Sequence, residues 1–197
     1  MGKIIADISM SLDGFVTGPG VDAEHGLGVN GEALHEWAIT SDDPVDAEVL
    51  RATTEESGAV VMGRRLFDFI DGPTGWSDEM GYGAAHAAAP PFFVVTHAAP
   101  EKTRLNLDFT FATDGLSAAL SRAQTAAGGK STVIMGGADV IRQSVDAGLV
   151  DELRVHLAPV LLGAGTPLFP DMTYRRLKQT SVRPSACATH VVYVLEQ

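Results

Sequence analysis

The feature that most constrains the fold is a set of short runs of consecutive apolar, often β-branched residues. They include residues 59–62 (AVVM), 91–96 (PFFVVT) and 132–135 (TVIM). A strand with one face in water alternates apolar and polar residues, whereas a strand covered on both faces does not. The runs therefore predict a sheet that is buried between two layers of helices.

The order of the predicted elements indicates how this sheet is connected. We predict strands over residues 3–9, 59–62, 91–96, 109–112, 132–135, 153–162 and 190–195, and helices over residues 32–40, 45–57, 64–70, 116–127 and 138–147. Strands and helices mostly alternate, and the last two strands follow each other directly. The pattern predicts an α/β fold with three layers, a mostly parallel central sheet flanked by helices, and an antiparallel C-terminal edge. A chain of 197 residues suits one core, so residues 1–197 are expected to form a single domain.

The composition restricts the classes of partner. With 45% hydrophobic and 20% charged residues, the chain has the composition of a globular protein. Its formal net charge of −11 argues against nucleic-acid binding, because a phosphate-binding groove needs clustered lysines and arginines. Asp7 interrupts the N-terminal apolar run, which excludes a signal peptide or membrane span there, and the single Cys187 excludes an internal disulfide. We therefore expect a cytoplasmic protein.

Two glycine-rich segments, residues 13–31 and 71–91, are too long to be simple connectors. Loops of this length in a compact domain are usually lids or binding walls, so Trp76 in the second loop is a candidate wall residue. The first loop contains Gly26, Gly28 and Gly31 in the spacing G-x-G-x-x-G, which indicates dinucleotide binding only between a strand and a helix. The preceding residues, GPGVDAEH, do not form a buried strand, so we interpret this pattern as a loop.

Two adjacent glycines, Gly136 and Gly137, stand between a predicted strand and a predicted helix. Glycine lets the backbone approach another group closely, and the unpaired N–H groups at a helix N-terminus attract anions. Two interpretations are open at this point: a tight turn without a ligand, or a phosphate site.

Two other predicted strand ends carry polar residues. Gly63, Arg64 and Arg65 follow one strand and open a helix, where cations oppose the helix dipole unless an anion lies between them and the N–H groups. Thr96 and His97 follow the next strand, at the end where open α/β sheets bind ligands. A solvated arginine pair and a surface histidine are the alternatives. One extended, phosphorylated ligand is predicted to touch all three strand ends.

Other chemistries find little support in the sequence. The histidines at positions 25, 35, 86, 97, 156 and 190 lack the i, i+4 pairing of a helical zinc site, and no G-x-S-x-G nucleophile motif is present. We predict no metal site.

Four segments together carry a family resemblance: ISMSLDGFV at 8–16, VMGRR at 61–65, IMGGADVI at 134–141 and VDELRVHLAPVLLGAGTPLF at 150–169. They resemble the dihydrofolate reductase-like superfamily, and within it the reductase domain of the bifunctional riboflavin-biosynthesis deaminase-reductase. The resemblance spans nearly the whole chain. It implies a dihydrofolate reductase-like fold that binds NADPH across the carboxyl ends of the central sheet and reduces a heterocycle by hydride transfer.

The resemblance also implies a role for each strand end. Pyrophosphate contacts are expected from Gly136, Gly137, Ala138 and Asp139, contacts to the adenosine phosphate from Gly63, Arg64 and Arg65, and contacts to the ribose 2′-phosphate from Thr96 and His97. Asp13 and Gly14 are expected near the nicotinamide, Gly163 and Gly165 in the far wall, and Trp76 against the substrate. Asp13 is the candidate catalytic residue, and an Asp-Gly turn is its alternative.

The resemblance has limits that affect the substrate. It does not extend to the deaminase half, so only the reductase step, on 5-amino-6-(5-phosphoribosylamino)uracil, is expected. Dihydrofolate reductases carry a substrate-orienting carboxylate on the helix after the first strand, and here Glu32, Glu36, Asp46 and Glu48 give no clear match. A folate or pterin reductase and a non-catalytic nucleotide-binding protein are therefore the alternatives. The resemblance implies a homodimer, with the C-terminal strands as the expected interface.

Overall fold

The computed structural model describes residues 2–22, 25–77, 81–82 and 89–196. Over these residues the strands are β1 (Ile4–Ser11), β2 (Phe15–Thr17), β3 (Ser57–Gly63), β4 (Phe92–Val95), β5 (Phe109–Ala112), β6 (Ser131–Gly136), β7 (Glu152–Ala158), β8 (Thr166–Pro167), β9 (Leu177–Pro184) and β10 (Thr189–Leu195). The helices are α1 (Glu36–Ile39), α2 (Pro44–Glu56), α3 (Arg64–Ile70), α4 (Leu116–Ala126) and α5 (Ala138–Asp146), with a 3₁₀ helix at Gly31–His35.

The main sheet has eight strands in the order β5-β4-β3-β6-β1-β7-β10-β9. Neighbours from β5 to β7 are parallel, and β10 pairs antiparallel with both β7 and β9. Helices cover both faces, so the three-layer α/β fold with an antiparallel C-terminal edge is confirmed. The carboxyl ends of β4, β3, β6, β1 and β7 therefore lie along one edge.

The two faces of the sheet differ in chemistry. One face packs against α4 and α5 through a continuous apolar core that includes Val61, Ile134 and Ile141. The other face is apolar only beneath α3, where Met62 and Phe67 are buried. Farther along this second face, under α1 and α2, the sheet presents buried polar side chains instead: Ser9, Ser11, Glu152, His156 and His190.

Five elements differ from the sequence prediction, among them the short strands β2 and β8, which were not predicted. Strand β7 ends at Ala158 and not at residue 162, because Pro159 has no N–H for the ladder. Strand β9 carried no apolar run to predict it, since most of its residues are exposed. The predicted helix over 32–40 is a 3₁₀ turn followed by the four-residue α1. Among the described residues, no helix has the length and hydropathy needed to cross a bilayer.

A small two-stranded ribbon, β2 with β8, closes the first long loop against the segment after β7. Gly165 stands at its edge with a φ of 142°, and a Cβ there would lie 1.9 Å from the carbonyl oxygen of Thr17. No side chain fits at that distance. The ribbon therefore requires glycine at this position.

We predict that Gly165→Ala destabilises the protein by about 2 kcal/mol or more, because it combines a disfavoured backbone conformation with a backbone clash. Gly148→Ala is the matched control, since Gly148 has a φ of 67° but open space around its Cβ. It should cost only about 1 kcal/mol. Urea unfolding of both variants measures the difference. Equal losses would show that the close approach to Thr17 does not matter.

Candidate cofactor and substrate cleft

The glycine pair lies where β6 ends and α5 begins. Gly136 has a φ of 141°, and the peptide bond between Gly136 and Gly137 is cis. Gly137 is the N-cap of α5, and a Cβ built on it would have nothing within 4 Å. The backbone at the start of α5 therefore faces open space, and a side chain at Gly137 would project into that space without disturbing the core.

A second glycine turn lies directly beside the first. Met62 pairs with Gly136 across the sheet, so Gly63 ends β3 at the level of the glycine pair. A Cβ on Gly63 would lie 3.0 Å from Val140 Cγ2 and 3.6 Å from the Gly137 nitrogen. The starts of α3 and α5 thus share one surface.

The basic residues after β3 play different parts. The Arg64 guanidinium donates to an Asp68 carboxylate oxygen at 2.7 Å and to the Ala98 carbonyl at 2.7 Å, next to Thr96. Arg65 is exposed, and within the described ranges it has no hydrogen bond or ion pair. His97 is also exposed, just beyond β4. Arg64 therefore ties the loop after β4 to α3, while Arg65 and His97 are available to an anion.

The loop after β1 is joined to the loop after β7 through Asp13. Its carboxylate accepts hydrogen bonds from the Ser11 hydroxyl at 2.6 Å and from the backbone N–H groups of Leu162 at 3.1 Å and Gly163 at 2.7 Å. These bonds, that from Ser11 above all, hold the pKa of Asp13 below its ordinary value. Asp13 is therefore an ionised acceptor at neutral pH. Its catalytic role stays a prediction.

The glycines predicted for the far wall lie in the same neighbourhood. Gly14 accepts a hydrogen bond from the Leu168 N–H at 3.0 Å, so the two loops are joined at a second point. Gly163 has a φ of 72° and open space beyond its Cα, whereas Gly165 packs on the ribbon. Gly163 is the more accessible of the two.

The structure does not bring Trp76 to this edge. Its indole packs against Phe92, the first residue of β4, with the ring centroids 6.0 Å apart. Its backbone N–H bonds to the Ile70 carbonyl at the end of α3. Because α3 returns the chain to the amino ends of the strands, Trp76 lies at the opposite edge of the sheet. Residues 78–80 and 83–88, His86 among them, lie outside the described residues. Trp76 is partly buried and packs against the apolar core at that edge.

Sequence reasoning missed a buried chain of four ionisable side chains beneath α1 and α2. His156 Nε2 lies 2.9 Å from Asp7 Oδ1, and His190 Nε2 lies 2.6 Å from Asp46 Oδ1. The two Nδ1 atoms are 2.7 Å apart. Trp37 lies over His156, with ring centroids 4.1 Å apart, and donates from its indole nitrogen to Ser9 at 2.9 Å. Two of the histidines that seemed scattered in the sequence, His156 and His190, are in direct contact.

Burial and hydrogen bonds compete over the protonation of this chain. Burial raises the pKa of Asp7, but the contacts with His156 and Arg154 outweigh it, and the net pKa lies below the ordinary value. The pKa of Asp46 is likewise lowered, since its hydrogen bonds outweigh burial. Burial lowers the pKa of His190, although Asp46 opposes this shift. One sequence signal pointed here: Asp7, Ser9 and Ser11 alternate along a strand that is otherwise apolar.

The fold and this edge define a class of protein. Strand order, helix placement and the paired glycine turns form a dihydrofolate reductase-like fold. Dihydrofolate reductase from Enterococcus faecalis, complexed with NADP(H), aligns with a TM-score of 0.56 at 15% identity, covering 98% of this chain and 97% of that chain.

The family is more specific than the fold. The profile of the RibD C-terminal domain matches residues 2–191, so the chain belongs to this family. The uncharacterized protein YyaP of Bacillus subtilis (strain 168) is 27% identical over 199 residues, which cover 97% of this chain and 94% of YyaP. A putative riboflavin biosynthesis protein from Shewanella sp. PV-4 aligns with a TM-score of 0.68 at 20% identity, covering 99% of both chains.

The buried chain predicts how stability depends on pH. Because the folded pKa of Asp46 lies below its ordinary value of 3.8, its contribution to stability is present above that value and is lost as the pH falls through the lower, folded pKa. We expect Asp46→Asn to destabilise the protein by about 3 kcal/mol at pH 7 and to flatten the loss of stability in acid. Asp42→Asn, an equal change of charge at an exposed position, should change stability by less than about 0.5 kcal/mol. Urea unfolding between pH 7 and pH 3 tests both, and identical acid profiles for Asp46→Asn and wild type would contradict the assignment.

Proposed function

We propose that the protein is an NADPH-dependent reductase of a small heterocyclic substrate, similar to 5-amino-6-(5-phosphoribosylamino)uracil reductase. The observation that carries this proposal is the pair of glycines at the ends of β3 and β6, with open space over Gly137 and the exposed Arg65 in the first turn of α3. Membership of the RibD C-terminal domain family supports a reductase.

The residues at the strand ends fit a dinucleotide. Backbone N–H groups at the start of α5, from Ala138 and Asp139, suit a pyrophosphate, and the missing side chain of Gly137 leaves room for it. The Asp139 carboxylate is paired with Arg142, which limits its repulsion of an anion. When bound, the cofactor supplies the hydride, and the protein supplies position and electrostatics.

The choice of NADPH over NADH would come from the loop after β4. A 2′-phosphate carries up to two charges and is bound well by a guanidinium fork. Arg65 has its donors free within the described part of the chain, while Arg64 holds Thr96 and Ala98 in place. We infer that Arg65 and His97 contact the phosphate directly and that Arg64 positions them.

The substrate would bind between the loop after β1 and the loop after β7. The Asp13 carboxylate fixes these loops relative to each other. Gly14 and Gly163 add no side chain to the open space beside the loops. The folate alternative needs a free carboxylate on the helix after β1. Asp46 is bonded to His190, and Glu48 is paired with Arg51, so neither serves as that group.

We also infer a homodimer in the cytoplasm. The exposed apolar residues Leu177 and Val182 lie on the outer strand β9, as an interface through the C-terminal strands requires. Cys187 is half-buried and free, as the reducing compartment allows.

Replacing Gly137 tests the cofactor site. Gly137→Val should leave the protein folded, because a Cβ meets nothing within 4 Å, and should weaken NADPH binding at least about 100-fold by filling the phosphate approach. Gly137→Ala should have a smaller effect in the same direction. Nicotinamide fluorescence gives the affinities, and circular dichroism checks the fold. If folded Gly137→Val bound NADPH with wild-type affinity, the cofactor phosphate would not bind at this turn.

The arginines test cofactor preference. Arg65→Ala should weaken NADPH about tenfold or more and leave NADH nearly unchanged, since one charge-assisted bond contributes about 1.5–3 kcal/mol. Arg64→Ala should have a smaller, indirect effect. Arg122→Ala is a control with the same charge change, on α4 and paired with Asp114. Equal losses for NADPH and NADH in Arg65→Ala would show that Arg65 does not bind the 2′-phosphate.

A further inference from the structure

The buried chain of Asp7, His156, His190 and Asp46 contains more contacts than two neutral histidines can supply with protons. Three contacts join the four side chains in a row, at 2.9, 2.7 and 2.6 Å. Each is a hydrogen bond only if one hydrogen lies between its two heavy atoms. Two neutral imidazoles carry one N–H each.

The four side chains must therefore bind a third hydrogen between them. If both carboxylates are ionised, one imidazole carries two N–H groups and the proton is shared between the two Nδ1 atoms. Burial opposes this positive charge and lowers the pKa of His190, so the shared proton is held at acidic pH and lost as the pH rises. Without it, two nitrogen lone pairs would face each other at 2.7 Å, or a lone pair would face a carboxylate. All four residues thus act as one proton-binding unit, which we call the proton unit.

The proton unit lies next to the proposed cofactor site. A Cβ on Gly136 would lie 3.8 Å from Ile8 Cδ1, so β1 passes directly beside the glycine pair. Asp7 is the residue before Ile8 and projects to the opposite face, toward α1 and α2. Its Oδ2 atom is buried without a hydrogen-bond partner among the described residues. This atom is the unsatisfied end of the proton unit.

We propose that the proton unit stores the proton that a reductase needs with each hydride, and that Asp7 is its outlet and a catalytic residue. The proposal rests on the proposed function. Reduction of a C=N or C=O bond adds a hydride from C4 of NADPH to carbon and a proton to nitrogen or oxygen. Asp7 would give a proton to the substrate nitrogen or oxygen as it takes one from His156 Nε2, and a proton from bulk solvent would reload the unit after the product leaves.

Electrostatic repulsion would couple hydride transfer to proton release. An oxidised nicotinamide ring would carry a positive charge, and a positive charge near an imidazolium lowers its proton affinity. The unit would therefore release its proton when the bound cofactor is oxidised. His156, His190 and Asp46 act through Asp7 and are positioning residues.

Other titratable groups lie close to the proton unit, and any test must distinguish their titration from that of the unit. Arginine side chains keep their charge between pH 5 and 8, and Arg154 is already paired with Glu56 and Glu152. Burial lowers the pKa of His35 and raises that of Tyr82, so burial disfavours the charged form of both side chains. The groups that face the unit are Arg154 from β7, Arg183 from β9, Glu56 from α2, His35 from the 3₁₀ helix and Tyr82.

Nuclear magnetic resonance of the protein with ¹⁵N-labelled histidine counts the protons directly. We expect three N–H hydrogens on His156 and His190 at pH 5.5, one of them shared between the Nδ1 atoms, and loss of that one as the pH rises. The His190→Gln spectrum assigns the signals. If the two histidines carried only two N–H hydrogens at pH 5.5 and at every higher pH, the proposal would be overturned.

Cofactor binding tests the coupling without a substrate. Binding of NADP⁺, but not of NADPH, should release a proton, so that NADP⁺ affinity rises with pH by up to about tenfold for a pKa shift of one unit. Calorimetry in two buffers of different ionisation enthalpy measures the released proton. The 2′-phosphate is common to both cofactors, so its titration cancels in the difference.

Variants locate the source of this proton. His190→Gln and Asp46→Asn should abolish the difference between NADP⁺ and NADPH, whereas His25→Gln, at an exposed loop position, should retain it. Equal pH dependence for the two cofactors in the wild type would overturn the proposal even if both bind. Failure of both cofactors to bind would instead overturn the proposed function, and the proton count would still decide whether the proton unit exists.

Discussion

In this fold both faces of the parallel strands are covered by helices, so polar backbone groups meet ligands only where the strands end. Five neighbouring strands, β4, β3, β6, β1 and β7, end along one edge. There the chain must turn into a helix or a loop within a few residues. Gly136 permits this with a φ of 141°, and Gly63 leaves room for Val140 of the neighbouring helix. The position of the candidate cleft follows from this constraint.

The polar half of the second face has a different origin. A buried strand face with Asp7, Ser9 and His156 is stable only if every polar group finds a partner. Helix α2 brings Asp46 to His190, and α1 brings the Trp37 indole to Ser9. Helices α1 and α2 are therefore held by hydrogen bonds and not by apolar packing alone. The same bonds bury ionisable groups on the face of β1 opposite to Ile8, whose side chain lies beside Gly136.

The sequence was informative where local chemistry decides the structure, and less so where distant residues meet. Apolar runs predicted the parallel strands, and the residues at three strand ends were brought to one edge. The contact between His156 and His190 depends on the pairing of β7 with β10, which a sequence without an alignment does not reveal. Trp76 was predicted at the wrong edge of the sheet. It follows a helix and precedes the next parallel strand, and such a loop lies at the amino ends of the strands. Strand β9 was missed because exposed edge strands carry no apolar signal.

The proposed binding of an anionic cofactor by an acidic protein raises an electrostatic question. The net charge of −11 repels NADPH at long range, but interactions between exposed charges fade beyond about 8 Å at physiological salt. Within that distance the nearby acids are already engaged: Asp68 with Arg64, and Asp139 with Arg142. What remains for the phosphates is Arg65 and the N–H groups at the start of α5. Pairing of the local acids, more than the overall charge, therefore decides whether this edge attracts an anion.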